Sequence, residues 1–139
     1  MPGNMMLARR IKDAVERSIQ TSKCYPATGE KTLTGASGAN TQGSYTELVA
    51  STATKVKIES VAVYALSAAD RYTIQISTGA AASESVISTF SVGGGAAASF
   101  VVPVTCPEID SSTRIACSVA SVSGGSDTCK VVLNYVEIT

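Results

Sequence analysis

Thr113-Arg114-Ile115-Ala116-Cys117-Ser118-Val119-Ala120-Ser121-Val122-Ser123-Gly124-Gly125-Ser126-Asp127-Thr128-Cys129-Lys130-Val131-Val132-Leu133-Asn134-Tyr135-Val136-Glu137-Ile138-Thr139 is the stretch whose reading decides the fold. Two runs rich in β-branched residues flank Gly124-Gly125, the pattern of a β-hairpin. A three-residue loop of Gly124, Gly125 and Ser126 sets Ser123 opposite Asp127, Ile115 opposite Tyr135, Cys117 opposite Leu133 and Val119 opposite Val131. One face of the pair is then apolar. A two-residue loop puts Val119 against Lys130 and Ile115 against Asn134 instead. A one-residue slip turns every side chain to the other face, so burial selects the three-residue loop. A hairpin with one apolar face needs a second sheet to cover it.

Upstream, five further segments read as strands: 45–50, 55–65, 71–77, 84–92 and 99–106. Alternation turns Val56 and Ile58 inward, then Tyr72, Ile74 and Ile76, then Phe100, Val102, Val104 and Cys106. Pro103 lacks an N–H and lies on the opposite face, which places its strand at a sheet edge. The breaks fall at 67–70, 79–83, 93–95 and 107–112, and no 20–50 residue repeat is present. With a short strand at Lys31–Thr34, the expectation is a mainly β protein. It is an antiparallel β-sandwich or jelly roll of about seven to eight strands, spanning 45–139.

The other end of the chain reads differently. Asn4 is a candidate N-cap. Leu7, Ile11, Ala14, Val15 and Ile19 recur at helical spacing, so 1–20 is expected to be an α-helix with one narrow apolar stripe. Asp13 precedes Arg17 by four residues, the favoured orientation for an ion pair. A helix this short is marginal alone in water and must dock, either on its own chain or on a neighbour. Residues 21–44 are polar, carry four glycines, and read as an extended arm or linker that lets the helix reach away.

Charge supports that division. The chain is formally neutral, but residues 1–31 hold six Lys/Arg against three acids, and 32–139 hold five against eight. The asymmetry points to an N-terminal arm that meets an acidic partner. Arg9, Arg10, Lys12 and Arg17 read first as a solvated helix face, second as contacts for acidic side chains of a protein partner, and a distant third as phosphate contacts, because Asp13 and Glu16 are interleaved and no aromatic is at hand for stacking. No apolar run is long enough to span a bilayer, and the N-terminus lacks the order of a secretory signal, so a cytosol is the expected place of synthesis.

Little points to catalysis. With no histidine, the commonest general base and the Ser–His and Cys–His routes to a nucleophile are missing. Thr28-Gly29-Glu30-Lys31-Thr32 resembles a phosphate loop only superficially, since Glu30 separates Gly29 from Lys31. Glu108, Asp110 and Asp127 are read as solvated loop carboxylates rather than calcium ligands, and Gly93–Gly95 as turn glycines. Cys24, Cys106, Cys117 and Cys129 are scattered, without zinc-ligand spacing. In the hairpin register Cys117 and Cys129 are too far apart to bond, and buried thiols are the expectation, with a link from Cys106 to Cys117 or Cys129 left open. No catalytic, metal or cofactor-binding residues are assigned.

Pro103-Val104-Thr105-Cys106-Pro107, Thr113-Arg114-Ile115-Ala116, Arg71-Tyr72-Thr73-Ile74-Gln75-Ile76-Ser77-Thr78-Gly79 and the closing Gly-Gly stretch together resemble small β-sandwich virion proteins of tailed bacteriophages. Among these the chain is most similar to capsid decoration, or cement, proteins. The likeness runs over about 45–135. It implies a non-enzymatic structural protein, commonly a homotrimer, assembled in the host cytoplasm and carried on the virion. The implied partner is the major capsid protein or a neighbouring copy, gripped by Leu7, Ile11, Val15 and Ile19 with Arg9, Arg10, Lys12 and Arg17. The alternative is a receptor- or glycan-binding module of a tail or head fibre, and a hydrolase on a β scaffold comes third.

Overall fold

A computed structural model describes residues 23–138. The helix expected over 1–20 lies outside them. Nine strands are described: β1 (Lys23–Tyr25), β2 (Lys31–Thr34), β3 (Thr46–Val49), β4 (Val56–Tyr64), β5 (Asp70–Thr78), β6 (Ser85–Gly94), β7 (Phe100–Pro103), β8 (Ile115–Ser121) and β9 (Thr128–Glu137). They form two antiparallel sheets. One runs β1-β9-β4-β7 with β2 also on β9, and the other runs β3-β8-β5-β6. The pairs nest: β5 with β6, β4 with β7, β3 with β8, β2 with β9. This is a ribbon folded over on itself, the winding of a jelly roll.

Alternation places the core where it was expected. Val56, Ile58, Val61 and Val63 of β4 and Tyr72, Ile74 and Ile76 of β5 are fully buried. Ile115, Cys117 and Val119 of β8 face Val131 and Leu133 of β9 through the same cluster. β7 is an edge strand, with Pro103 opposite Ser60, as its missing N–H requires. Its regular part is shorter than the 99–106 expected.

The hairpin is the main correction. β8 lies between β3 and β5 in one sheet, and β9 between the β1/β2 edge and β4 in the other. Val119 pairs with Ile74, and Val131 with Val63 and Lys31. The residues assigned inward are inward, but they meet across the sandwich instead of side by side. Both arrangements bury the same faces, so alternation alone does not separate them. The connecting loop does. Gly124, Gly125 and Ser126 all have positive φ, at 75°, 80° and 58°. The loop bonds elsewhere: Gly125 N–H donates to Ser37 O and Ser126 N–H to Ala36 O. β8 is also buried along its whole length, including Ala116, Ser118 and Ala120, as befits a central strand.

Residues 23–44, read as part of an arm, are body. β1 and β2 are one broken edge strand on β9, interrupted by residues 26–30. Residues 35–43 then cross to the other sheet, with Gly35 N–H on Asp127 O, Asn40 N–H on Ser121 O and Gly43 N–H on Val119 O. Two apolar side chains hold the segment in: Leu33 is fully buried and Tyr25 nearly so. Burying each stabilises by about 1.5–3 kcal/mol. Glycine lets the crossing lie close. A Cβ on Gly43 would collide with the carbonyl of Thr34.

Candidate functional site

β1 fixes where the chain enters the described body. Lys23 pairs with Tyr135 and Tyr25 with Leu133 on β9. The rings of Tyr25 and Tyr135 stack with centroids 4.0 Å apart and planes 11° from parallel. Burial, and then the Tyr135 hydroxyl, push the Tyr25 phenol well above its usual range. Lys23 Nζ reaches Glu137 Oε1 at 2.8 Å. The segment preceding Lys23 therefore starts from the rim of the β1-β9-β4-β7 sheet.

The centre of the outer face of that sheet is uncharged. One row across it is Val101, Ala62 and Val132. The next is Pro103, Ser60, Asn134 and Cys24. Asn134 Nδ2 donates to Ser60 Oγ at 3.0 Å, and the Cys24 thiol to Asn134 Oδ1 at 3.6 Å. Val101 is 71% exposed. Charge borders the patch at two ends: Lys57, opposite Val136, and the exposed Glu59 of the β4 bulge at one, and the Lys130–Glu30 ion pair, at 3.2 Å, at the other. The result is a patch with an uncharged centre. Sequence reading missed it. Its signal is the run of uncharged outward positions on β9 after Lys130, namely Val132, Asn134 and Val136, matched by Ser60 and Ala62 on β4.

The opposite sheet carries hydroxyls and amides outside. Ser118 Oγ donates to Gln42 Oε1 at 2.7 Å, and Gln42 Nε2 donates to Thr73 O at 3.1 Å. Tyr45 OH donates to Gln75 Oε1 at 3.4 Å, and Thr73 Oγ1 lies 3.1 Å from Ser91 Oγ. Below this row Arg114 sits between two carboxylates, with Nε 2.9 Å from Glu47 and Nη1 3.0 Å from Glu84. Nη1 also donates to Gly79 O at 3.2 Å. The backbone N–H of Glu84, with Arg114 behind it, holds the Glu84 carboxyl below its usual range. Arg114, Glu47, Gly79 and Ala80 line a cleft of about 580 Å³. A guanidinium forked between two acids clamps the β5–β6 turn.

The other residues singled out by sequence resolve as follows. Leu7, Arg9, Arg10, Ile11, Lys12, Val15, Arg17 and Ile19 lie outside the described residues. Thr28, Gly29 and Glu30 form the break between β1 and β2, and Glu30 is bound to Lys130. Glu108 and Asp110 sit 3.2 and 4.0 Å from Lys55 Nζ. Gly93 and Gly94 end β6 rather than forming its turn. Among the described residues no group of His, Cys, Asp and Glu is placed to hold a metal ion. Cys106, Cys117 and Cys129 are buried and free, so Cys106 bridges neither partner. Burial pushes the Cys129 thiol up to about 12 and raises Cys106 and Cys117 as well. As thiols rather than thiolates they are packing groups, not nucleophiles.

No protein family matches the sequence, and no curated protein matches it. Several solved structures align with this chain. The crystal structure of PirA aligns over 76% of this chain and 92% of its own at 18% identity, with a TM-score of 0.45. The CBM36-1 domain of a multidomain xylanase from the hindgut metagenome of Trinervitermes trinervoides aligns over 86% and 98% at 9% identity, with a TM-score of 0.42. A structure of infectious bursal disease virus, Gx strain, aligns over 84% of this chain but 32% of its own at 15% identity, with a TM-score of 0.41.

Proposed function

We propose that the chain is a non-enzymatic structural protein of a phage virion, a capsid decoration protein that works by binding. Its β body self-associates, as a trimer in the proteins it resembles. Residues 1–20 grip the major capsid protein, with Leu7, Ile11, Val15 and Ile19 as the buried stripe and Arg9, Arg10, Lys12 and Arg17 as charge contacts. The observation that carries the reading is the position of Lys23 at the start of β1. The amphipathic N-terminal sequence joins the body there, at the rim of a sheet whose outer face has an uncharged centre. Many modest contacts of this kind reinforce a shell through multivalency. The full chain carrying Ile11→Asp and Val15→Asp should lose binding to empty phage shells while keeping its β circular dichroism. Unchanged saturation of the shells by that variant would overturn the anchoring role.

A second reading, a glycan-binding module of a fibre, draws on the outer row of Tyr45, Gln75, Gln42, Thr73 and Ser91. Uncharged amides and hydroxyls beside a tyrosine suit neutral sugars. Here they largely bond one another. A glycan array with reproducible hits, lost on Tyr45→Ala, would favour this reading over the first.

A further inference from the structure

The four sheet edges of the sandwich are not alike. β7 is four residues long and carries Pro103. The β1/β2 edge is broken by residues 26–30 and carries Lys23 and Lys31. β3 is four residues long, with a register shift between Glu47 and Val49. Short length, proline, lysine and bulges are the devices that stop an edge from pairing with another chain. β6 is different. It is ten residues long, Ser-Val-Ile-Ser-Thr-Phe-Ser-Val-Gly-Gly, without a charge or a proline. Its one irregularity lies at the Val86 end, and from Ser88 to Gly94 it pairs with β5 without a break. That is roughly 24 Å of regular edge. Among the described residues no strand pairs with its other side.

We infer that β6 is the edge through which a second copy of this chain docks, strand against strand. Three observations favour a copy over a foreign segment. The strand is uncharged, so an identical strand laid beside it brings no like charges together. The whole chain is formally neutral, so copies are not held apart by net charge. The exposed outer-face side chains Thr89 and Ser91 are short hydroxyls, flanked on β5 by Gln75 and Thr73. Recognition of a foreign strand draws its specificity from side-chain pockets. Hydroxyls offer none, but they pair well with their own kind across strands. Val86, 45% exposed at the end of the strand, adds apolar surface to the contact. The inference does not rest on the virion reading: β6 against β6 is a two-fold contact that closes as a dimer, and the trimer proposed above uses a different surface.

The test is the mass of the full chain in solution, by light scattering over a dilution series, with amide hydrogen exchange on the same samples. The wild type should exceed the 14.2 kDa of one chain. Thr89→Lys with Ser91→Lys should return it to that mass with an unchanged circular dichroism spectrum. Thr32→Lys, on the opposite edge, should leave the assembly intact. In the wild type those amides of 88–92 that point away from β5 should be protected when assembled and lose protection on dilution, a readout that stands even if the lysine variant does not fold. A wild type that is monomeric throughout, or an assembly that survives both lysines, overturns the inference. So does a monomer in which the 88–92 amides pointing away from β5 stay protected, which would assign the edge to another part of the same chain.

Discussion

Asp70 Oδ2 accepts hydrogen bonds from both the backbone N–H and the hydroxyl of Ser123. The residue that opens β5 thus holds the start of the loop that carries the chain from one sheet to the other. Its second oxygen accepts the Arg71 N–H at 2.8 Å. These bonds, the Ser123 hydroxyl foremost, hold the Asp70 carboxyl below its usual range.

A carboxyl whose pKa is depressed by folding contributes stability that is complete above its unfolded-state value. That contribution is lost as pH falls through the lower, folded-state value. Asp70→Asn should therefore melt below the wild type at neutral pH, with the gap closing as pH falls through the carboxylate range to about pH 2. Thermal melts of the two proteins across that range check it. A gap that keeps its full size in acid would mean that the ionised form is not what the loop responds to.

The Tyr25–Tyr135 stack ties the β1 edge to the centre of its sheet. Replacing either ring with leucine should destabilise the protein, and the double variant should cost less than the two single changes added together. The coupling expected for a stacked pair is about 0.5–1.5 kcal/mol. Urea denaturation of the four proteins measures it. Simple additivity would mean that the rings do not act as a pair.

Thiol chemistry offers a count. Cys24 is exposed, whereas Cys106, Cys117 and Cys129 are buried with raised pKa values. Ellman's reagent should titrate one thiol of four in the native protein and all four in denaturant, and Cys24→Ser should remove the native reaction. Fewer than four in denaturant would reveal a disulfide.

How much of this was legible beforehand depended on what alternation encodes. Val56, Tyr72, Ile74, Ile76, Val119 and Leu133 were placed on the correct faces, because period two survives any choice of partner strand. Partnership itself was not legible. Ile115-to-Ser121 and Thr128-to-Glu137 look like a hairpin because each has one apolar face, and the loop hydrogen bonds that separate them come from Ser37 and Ala36, far away in sequence. For the same reason the polar segment before Tyr45 looked like a free arm. Its attachment rests on Tyr25 and Leu33, two side chains too isolated to show a period. The uncharged patch was hidden because its rows are assembled from β1, β4, β7 and β9.

The seat of β9 has a consequence for how the protein is made. It follows every other described strand in the chain, yet it lies in the middle of its sheet, between β4 and the β1/β2 edge. Lys23 and Glu137, which meet in an ion pair, are 114 residues apart. Until β9 has been synthesised, β1 and β2 have nothing to pair with, and one edge of β4 is left without its partner strand. Such distant pairings form slowly, because loop closure is unfavourable before any contact compensates for it. The growing chain therefore carries exposed strand edges for most of its synthesis, and its yield in a cell should depend on chaperones that shield them.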